Sequence, residues 1–106
     1  DVQGAALMEP FLCVPGAEPG GDVFSRLLLA PPMPAEDPFT GSATGCLGAY
    51  LWSQGLIPER RFTALQGHWM GRPGRAEVEV LVPREAPEGV KVSGAGVVLM
   101  RGELLV

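Results

Sequence analysis

Asp37, Thr40, Gly41, Ser42 and Ala43 fall within seven residues and carry the groups that proton chemistry beside an anion would need. Asp37 offers a carboxyl that can give or take a proton. Ser42 and Thr40 offer hydroxyls, and Gly41 has no side chain to hold a ligand off the backbone. Pro38 fixes its own φ and pushes Asp37 out of the α region, so the chain must bend before a helix starts. Thr40 is a fair N-cap, and Gly55 is a natural C′ residue in the left-handed conformation. About fourteen residues lie between them, roughly 20 Å of helix at the usual rise. The first turn then leaves the N–H groups of Gly41, Ser42 and Ala43 without helical partners, and the macrodipole adds partial positive charge there. A carboxylate or phosphate suits such an end. The plainer reading of the same residues is that Asp37 and Thr40 only cap the helix.

The helix itself carries no charge: no Asp, Glu, Lys or Arg occurs from Phe39 to Pro58. A helix without a polar stripe reads as buried. Gly41, Ser42, Ala43, Thr44, Gly45, Cys46, Gly48, Ala49 and Ser53 are small on every side of the wheel. Three glycines cost roughly 0.5–1 kcal/mol each relative to Ala, so close packing must offset them. Enclosure by a curved sheet is the expectation; an ordinary helix lying on one sheet face is the alternative. The run is too short and too rich in hydroxyls and glycine to span a membrane.

The elements that must position this stretch are short. Eleven prolines and fifteen glycines in 106 residues imply many turns and several brief strands. Strands are expected over residues 4–14, 22–30, 61–66, 76–82, 90–93, 96–101 and 103–106, with a turn cluster at residues 15–21. Residues 31–34 read as a stiff, extended delivery to Asp37. One helix with six or seven strands suits an α+β fold, a strongly curved, barrel-like mixed sheet wrapped around a central buried helix. Gly71-Arg72-Pro73-Gly74-Arg75 reads as a hairpin turn with Gly74 at positive φ. Gly71 and Arg72 either approach a substrate carboxylate or form a solvent-facing turn. His68 and Trp69 read as wall residues of the preceding strand.

Composition bounds the function. Hydrophobic residues make up 46% and charged residues 19%, with a net charge of −4. That balance fits one globular domain over residues 1–106 and argues against nucleic acid or an anionic membrane surface as partner. Residues 1–58 carry six acids against Arg26 alone. Cys13 and Cys46 are the only thiols and both read as small core residues. With His68 the single histidine, no metal-ligand spacing exists, and no metal is expected. The chain opens Asp-Val-Gln-Gly, with no basic segment or long apolar run, so no secretory signal is read there and a cytoplasmic location is expected.

Glu36-Asp37-Pro38-x-Thr40-Gly41-Ser42-Ala43 followed by Gly48-Ala49-Tyr50-Leu51 resembles the second-domain signature of the PhzF-type phenazine-biosynthesis isomerases, relatives of diaminopimelate epimerase. Gly67-x-x-Met70-Gly71-Arg72-Pro73-Gly74-Arg75 is similar to the family's glycine-arginine hairpin, although a Ser is common where Gly74 stands. Val92-x-Gly94-x-Gly96-Val97-Val98 and Gly102-Glu103-Leu104 resemble its closing strands. The likeness covers nearly the whole chain, in order. It implies the barrel-like half of the epimerase fold, equivalent to the C-terminal domain of a two-domain isomerase.

The implied activity is cofactor-free proton transfer on a small carboxylated substrate, in a cleft between two domains. Asp37 would be the proton-handling acid. Ser42 would act with the Gly41 and Ala43 amides and Thr40 to hold a carboxylate or developing negative charge. Diaminopimelate epimerases use a thiol near this helix start, where Ser42 stands here, which favours the PhzF branch. The family's catalytic glutamate lies in its first domain and has no counterpart in this chain; Glu36 is not that base. The expected partner is therefore a missing N-terminal domain or second chain. Two alternatives remain: a self-associating, homodimeric module that only binds anions, and a structural remnant without catalysis.

Overall fold

The computed structural model describes residues 9–16, 21–81 and 83–106. Residues 4–8 of the strand expected over 4–14, residues 17–20 of the turn cluster and Val82 lie outside that set. Six strands and one α-helix follow in the order β1 (Phe11–Pro15), β2 (Val23–Leu28), β3 (Glu36–Asp37), α1 (Gly41–Ser53), β4 (Arg61–Gln66), β5 (Gly74–Leu81) and β6 (Gly89–Ser93). The sheet runs β1-β2-β4-β5-β6, with β3 attached to β2. β2 and β4 are parallel and every other pair is antiparallel, so the sheet is mixed as expected. The parallel pair needs a crossover, and α1 lies within it. Residues 31–33 turn, with Met33 N–H bonded to the Ala30 carbonyl, so this proline segment bends where extension was expected.

α1 packs on the sheet through Thr44, Leu47, Gly48 and Leu51, a stripe at helical spacing. Leu47 and Leu51 join Val23, Ile57, Phe62, Ala64 and Val78 in one core. The opposite side is bare: Gly41, Ser42, Cys46 and Tyr50 are exposed. Among the described residues the sheet is not closed, so enclosure of the helix on all sides is not what this chain provides. An uncharged face signals burial only when large apolar groups occupy it, and small residues on both sides hide which side packs. Cys46 therefore lies in solvent, correcting its reading as core, while Cys13 is half-buried.

The small residues do different work on the two faces. A Cβ at Gly48 would sit 2.9 Å from Val78 Cγ1 and 3.4 Å from Phe62 Cε1, both fixed in the core. Gly48→Ala gains about 0.5–1 kcal/mol in helix propensity but forces overpacking worth about 1–3 kcal/mol, so net destabilisation is expected. A Cβ at Gly45 would meet only Val92, at 3.6 Å. Gly45→Ala is therefore expected to stabilise this chain, and paired thermal melts of the two variants check the contrast.

Residues 96–101 and 103–106, expected as closing strands, form no strand. Val97, Leu99, Met100, Leu104 and Leu105 are exposed. Apolar, β-branched composition makes a segment suited to a sheet, but a strand still needs an edge to pair with.

β3 is short, so it needs a fastening. Arg26 Nε and Nη2 donate to the two carboxylate oxygens of Glu36 at 2.9 and 2.8 Å, a bidentate pair that ties β3 to β2. The bond from Arg26 holds the Glu36 carboxyl below its ordinary 4.5. Because the folded value is depressed, the pair contributes fully above 4.5 and is lost as pH falls through the lowered value. Arg26→Met is expected to melt below wild type at pH 7, with the gap closing towards pH 3. A gap that stays constant with pH would assign the loss to something other than this pair.

Candidate functional site

Asp37 ends β3 and is placed by three independent contacts. Its backbone pairs with Leu27 of β2. Its carbonyl oxygen accepts from Gln66 Nε2 at 2.9 Å. Its Oδ2 accepts from the Thr40 hydroxyl. Glu36, one residue earlier, has both carboxylate oxygens engaged by Arg26.

Thr40 is the N-cap residue of α1, but its side chain makes no cap hydrogen bond. Its hydroxyl faces Asp37 and Gln66 instead. The helix ladder begins with Thr44 N–H to the Thr40 carbonyl at 3.0 Å. The N–H groups of Gly41, Ser42 and Ala43 accordingly have no acceptor among the described residues. Gly41 and Ser42 are exposed, and a Cβ at Gly41 would meet nothing within 4 Å. No acidic residue occupies the first turn. The end of α1 thus presents three amide donors and the Ser42 hydroxyl to open space beside a carboxyl group, an arrangement suited to an anion and to proton exchange.

Of the hairpin residues Gly71 and Arg72, only the Arg72 backbone is brought near Pro38, at Gly67; neither lines the groove at Gly41. Residues 68–70 form a 3₁₀ turn between β4 and β5, flanked by Gly67 at φ +86 and Gly71 at φ +70. The positive-φ positions are thus these two, not Gly74, which opens β5. A Cβ at Gly67 would collide with the Arg72 carbonyl oxygen and lie 2.5 Å from the Pro38 carbonyl oxygen. Only glycine lets these two segments meet. The Arg72 side chain is exposed and makes no ion pair among the described residues. Trp69, expected in a wall, is 69% exposed. His68 is half-buried, edge-on to Phe24 at 5.4 Å, and does not contact Asp37. An open groove of about 540 Å³ runs from Gly41 past Phe39 and Pro73 to Val92 and Gly94. No group of three or more metal-ligating side chains occurs among the described residues.

Two residues that matter here were not among the candidate site residues, although Gly67 heads the glycine-arginine motif. Gln66 is 1% exposed at the end of β4. It accepts from Thr40 N–H at 3.1 Å and donates to the Asp37 carbonyl and to Thr40 Oγ1. Gly67 follows it. A glutamine in a run of buried strand positions was the available signal, since a buried amide must be satisfied by something across the fold.

A family model described as "Phenazine biosynthesis-like protein" matches residues 15–102. The chain belongs to the phenazine biosynthesis-like family. It is similar to an uncharacterized isomerase of Clostridium acetobutylicum, 47% identical over 74 residues, covering 66% of this chain and 24% of that protein. It is also 37% identical over 99 residues to the uncharacterized isomerase YddE of Escherichia coli O157:H7, covering 89% of the chain and 32% of YddE. An uncharacterized isomerase of Deinococcus radiodurans is 48% identical over 71 residues, which is 63% of the chain and 23% of that relative. The chain therefore spans about a third or less of the curated relatives it matches. Among the described residues no helix is long and apolar enough to cross a membrane.

Proposed function

We propose that this chain supplies one half of the active site of a cofactor-independent isomerase that moves a proton on a small carboxylated substrate. The observation that carries the reading is the placement of Asp37 beside three unpartnered amides at the open end of α1. The names of the relatives, all uncharacterized isomerases, support the class of reaction.

In this reading the substrate carboxylate sits on the Gly41, Ser42 and Ala43 amides and the Ser42 hydroxyl, with Thr40 steadying Asp37. A base from outside this chain takes a proton from carbon, and negative charge builds on the carboxylate and its neighbouring carbons. The amides stabilise that charge without having to reorganise. Asp37 delivers a proton to a different carbon or face. One C–H bond breaks and one forms, so the step needs no oxidant and no cofactor. Arg72, whose backbone meets Pro38 at Gly67, adds a cation at the rim, with Gly71 preceding it in the turn. The base comes from an N-terminal domain or second chain, which also covers the bare face of α1 and completes the barrel.

Ser42→Leu tests the carboxylate position. With malonate as the probe, calorimetry is expected to show affinity at least about tenfold weaker than wild type, a loss of roughly 1.4 kcal/mol. Unchanged affinity would remove the helix end from the reading.

The bare, small-residue face of α1 favours one competing account, in which two copies pair across a two-fold axis and only bind anions. Native mass spectrometry separates the two. A companion polypeptide supports the half-site, and a symmetric homodimer alone supports the binding module.

A further inference from the structure

Gln66 is a buried side chain that hydrogen-bonds to both Asp37 and Thr40, and its bonding leaves little freedom. Its amide orientation is set by two partners that can each play only one role. The Thr40 N–H can only donate, so it faces Oε1; the Asp37 carbonyl can only accept, so it faces Nε2. The second Nε2 proton is then directed at Thr40 Oγ1, 3.1 Å away. A threonine hydroxyl has one proton to give. With a lone pair taken by Gln66, that proton goes to Asp37 Oδ2.

The consequence concerns the helix. A threonine at the N-cap ordinarily turns its oxygen onto the N–H two or three residues ahead. Thr40 does not, although its φ of −115 and ψ of 94 are those of an ordinary N-cap. We propose that Gln66 is a positioning residue: it holds the Thr40 hydroxyl off the first turn of α1 and commits its proton to Asp37. The inference rests on the functional reading above for its purpose, but its structural content stands alone. Gln66 does not touch substrate; it acts through Thr40 and Asp37.

Gln66→Met removes the donor, and Gln66→Glu at pH 7 removes it while keeping an acceptor for the Thr40 amide. In both, the freed Thr40 oxygen caps the helix. Amide hydrogen exchange at Ser42 or Ala43, followed by NMR on the intact chain, is expected to slow about fivefold, the size of an ordinary cap. Adding Thr40→Val to either variant returns exchange to the wild-type rate. A glutamine that merely braces the loop would speed exchange when removed, and Thr40→Val would not reverse the change. Overturning results are an unchanged or faster rate in the Gln66→Glu variant, or slowing that persists without the Thr40 hydroxyl. The readout needs no ligand, so failure of malonate to bind would sink the carboxylate site and leave this test intact.

Discussion

On the proposed half-site, Asp37→Asn is expected to abolish turnover in the assembled enzyme while leaving the fold in place. Asparagine has the same shape, and its Oδ1 still accepts the Thr40 hydroxyl. Its backbone carbonyl still receives Gln66 Nε2. What disappears is the proton. Positioned acid–base groups contribute about 10²–10⁴ in rate, so a loss on the order of a thousandfold is expected. Solvent deuterium taken up by small carboxylates of a cell extract in D₂O, read by mass spectrometry, measures it without a known substrate. The thermal melt of the variant should stay close to wild type. Uptake within tenfold of wild type would take Asp37 out of the chemistry.

Gly67→Ala is the variant expected to do most damage to the structure. Two penalties combine at this position. An L residue at φ +86 is strained by about 1–3 kcal/mol. The new Cβ also runs into the Arg72 carbonyl oxygen and approaches that of Pro38, and backbone cannot swing aside as a side-chain tip does. Overpacking of that kind adds about 1–3 kcal/mol. The sum, about 2–6 kcal/mol, is a large share of the stability of a small domain. Chemical denaturation checks it, and a midpoint within error of wild type would show that the two segments do not meet there. Because Pro38 follows Asp37 directly, the same variant should also loosen the Asp37 turn.

The helix limits were legible because punctuation marks them. Thr40 and Gly55 bound α1 as expected, Gly55 lying at φ +68. β4 spans the residues expected, Arg61 to Gln66, but every position from Phe62 onward is buried, so no inside–outside alternation marks it. β5 begins two residues before its expected start, at Gly74, a residue whose missing side chain lets Phe39 pack against the strand. The side of α1 that packs was not legible. Gly45 and Gly48 are the same residue type three positions apart, yet a Cβ at one makes an ordinary contact with Val92 and at the other collides with the core. Nor did alternation reveal Gln66 or Gly67. Their roles are set by Asp37, Thr40, Pro38 and Arg72, and no local pattern records which distant backbone atoms a side chain must satisfy. The segment after Ser93 failed for a related reason: Val97 to Leu99 has strand-like composition, but pairing depends on an edge supplied from elsewhere. The residues proposed for the site, Asp37, Thr40, Gly41, Ser42 and Ala43, could be picked out from the sequence, since a bend, a cap and a glycine in the first turn are local features.

The direct test is an amide titration of the ¹⁵N-labelled chain with malonate. If the uncapped end of α1 is a seat for a carboxylate, the Gly41, Ser42 and Ala43 resonances shift together along one saturating curve, and Asp37 moves with them. Three unmoved amides at saturating malonate, or shifts confined to the Arg75, Glu77 and Ser93 surface, would contradict the account.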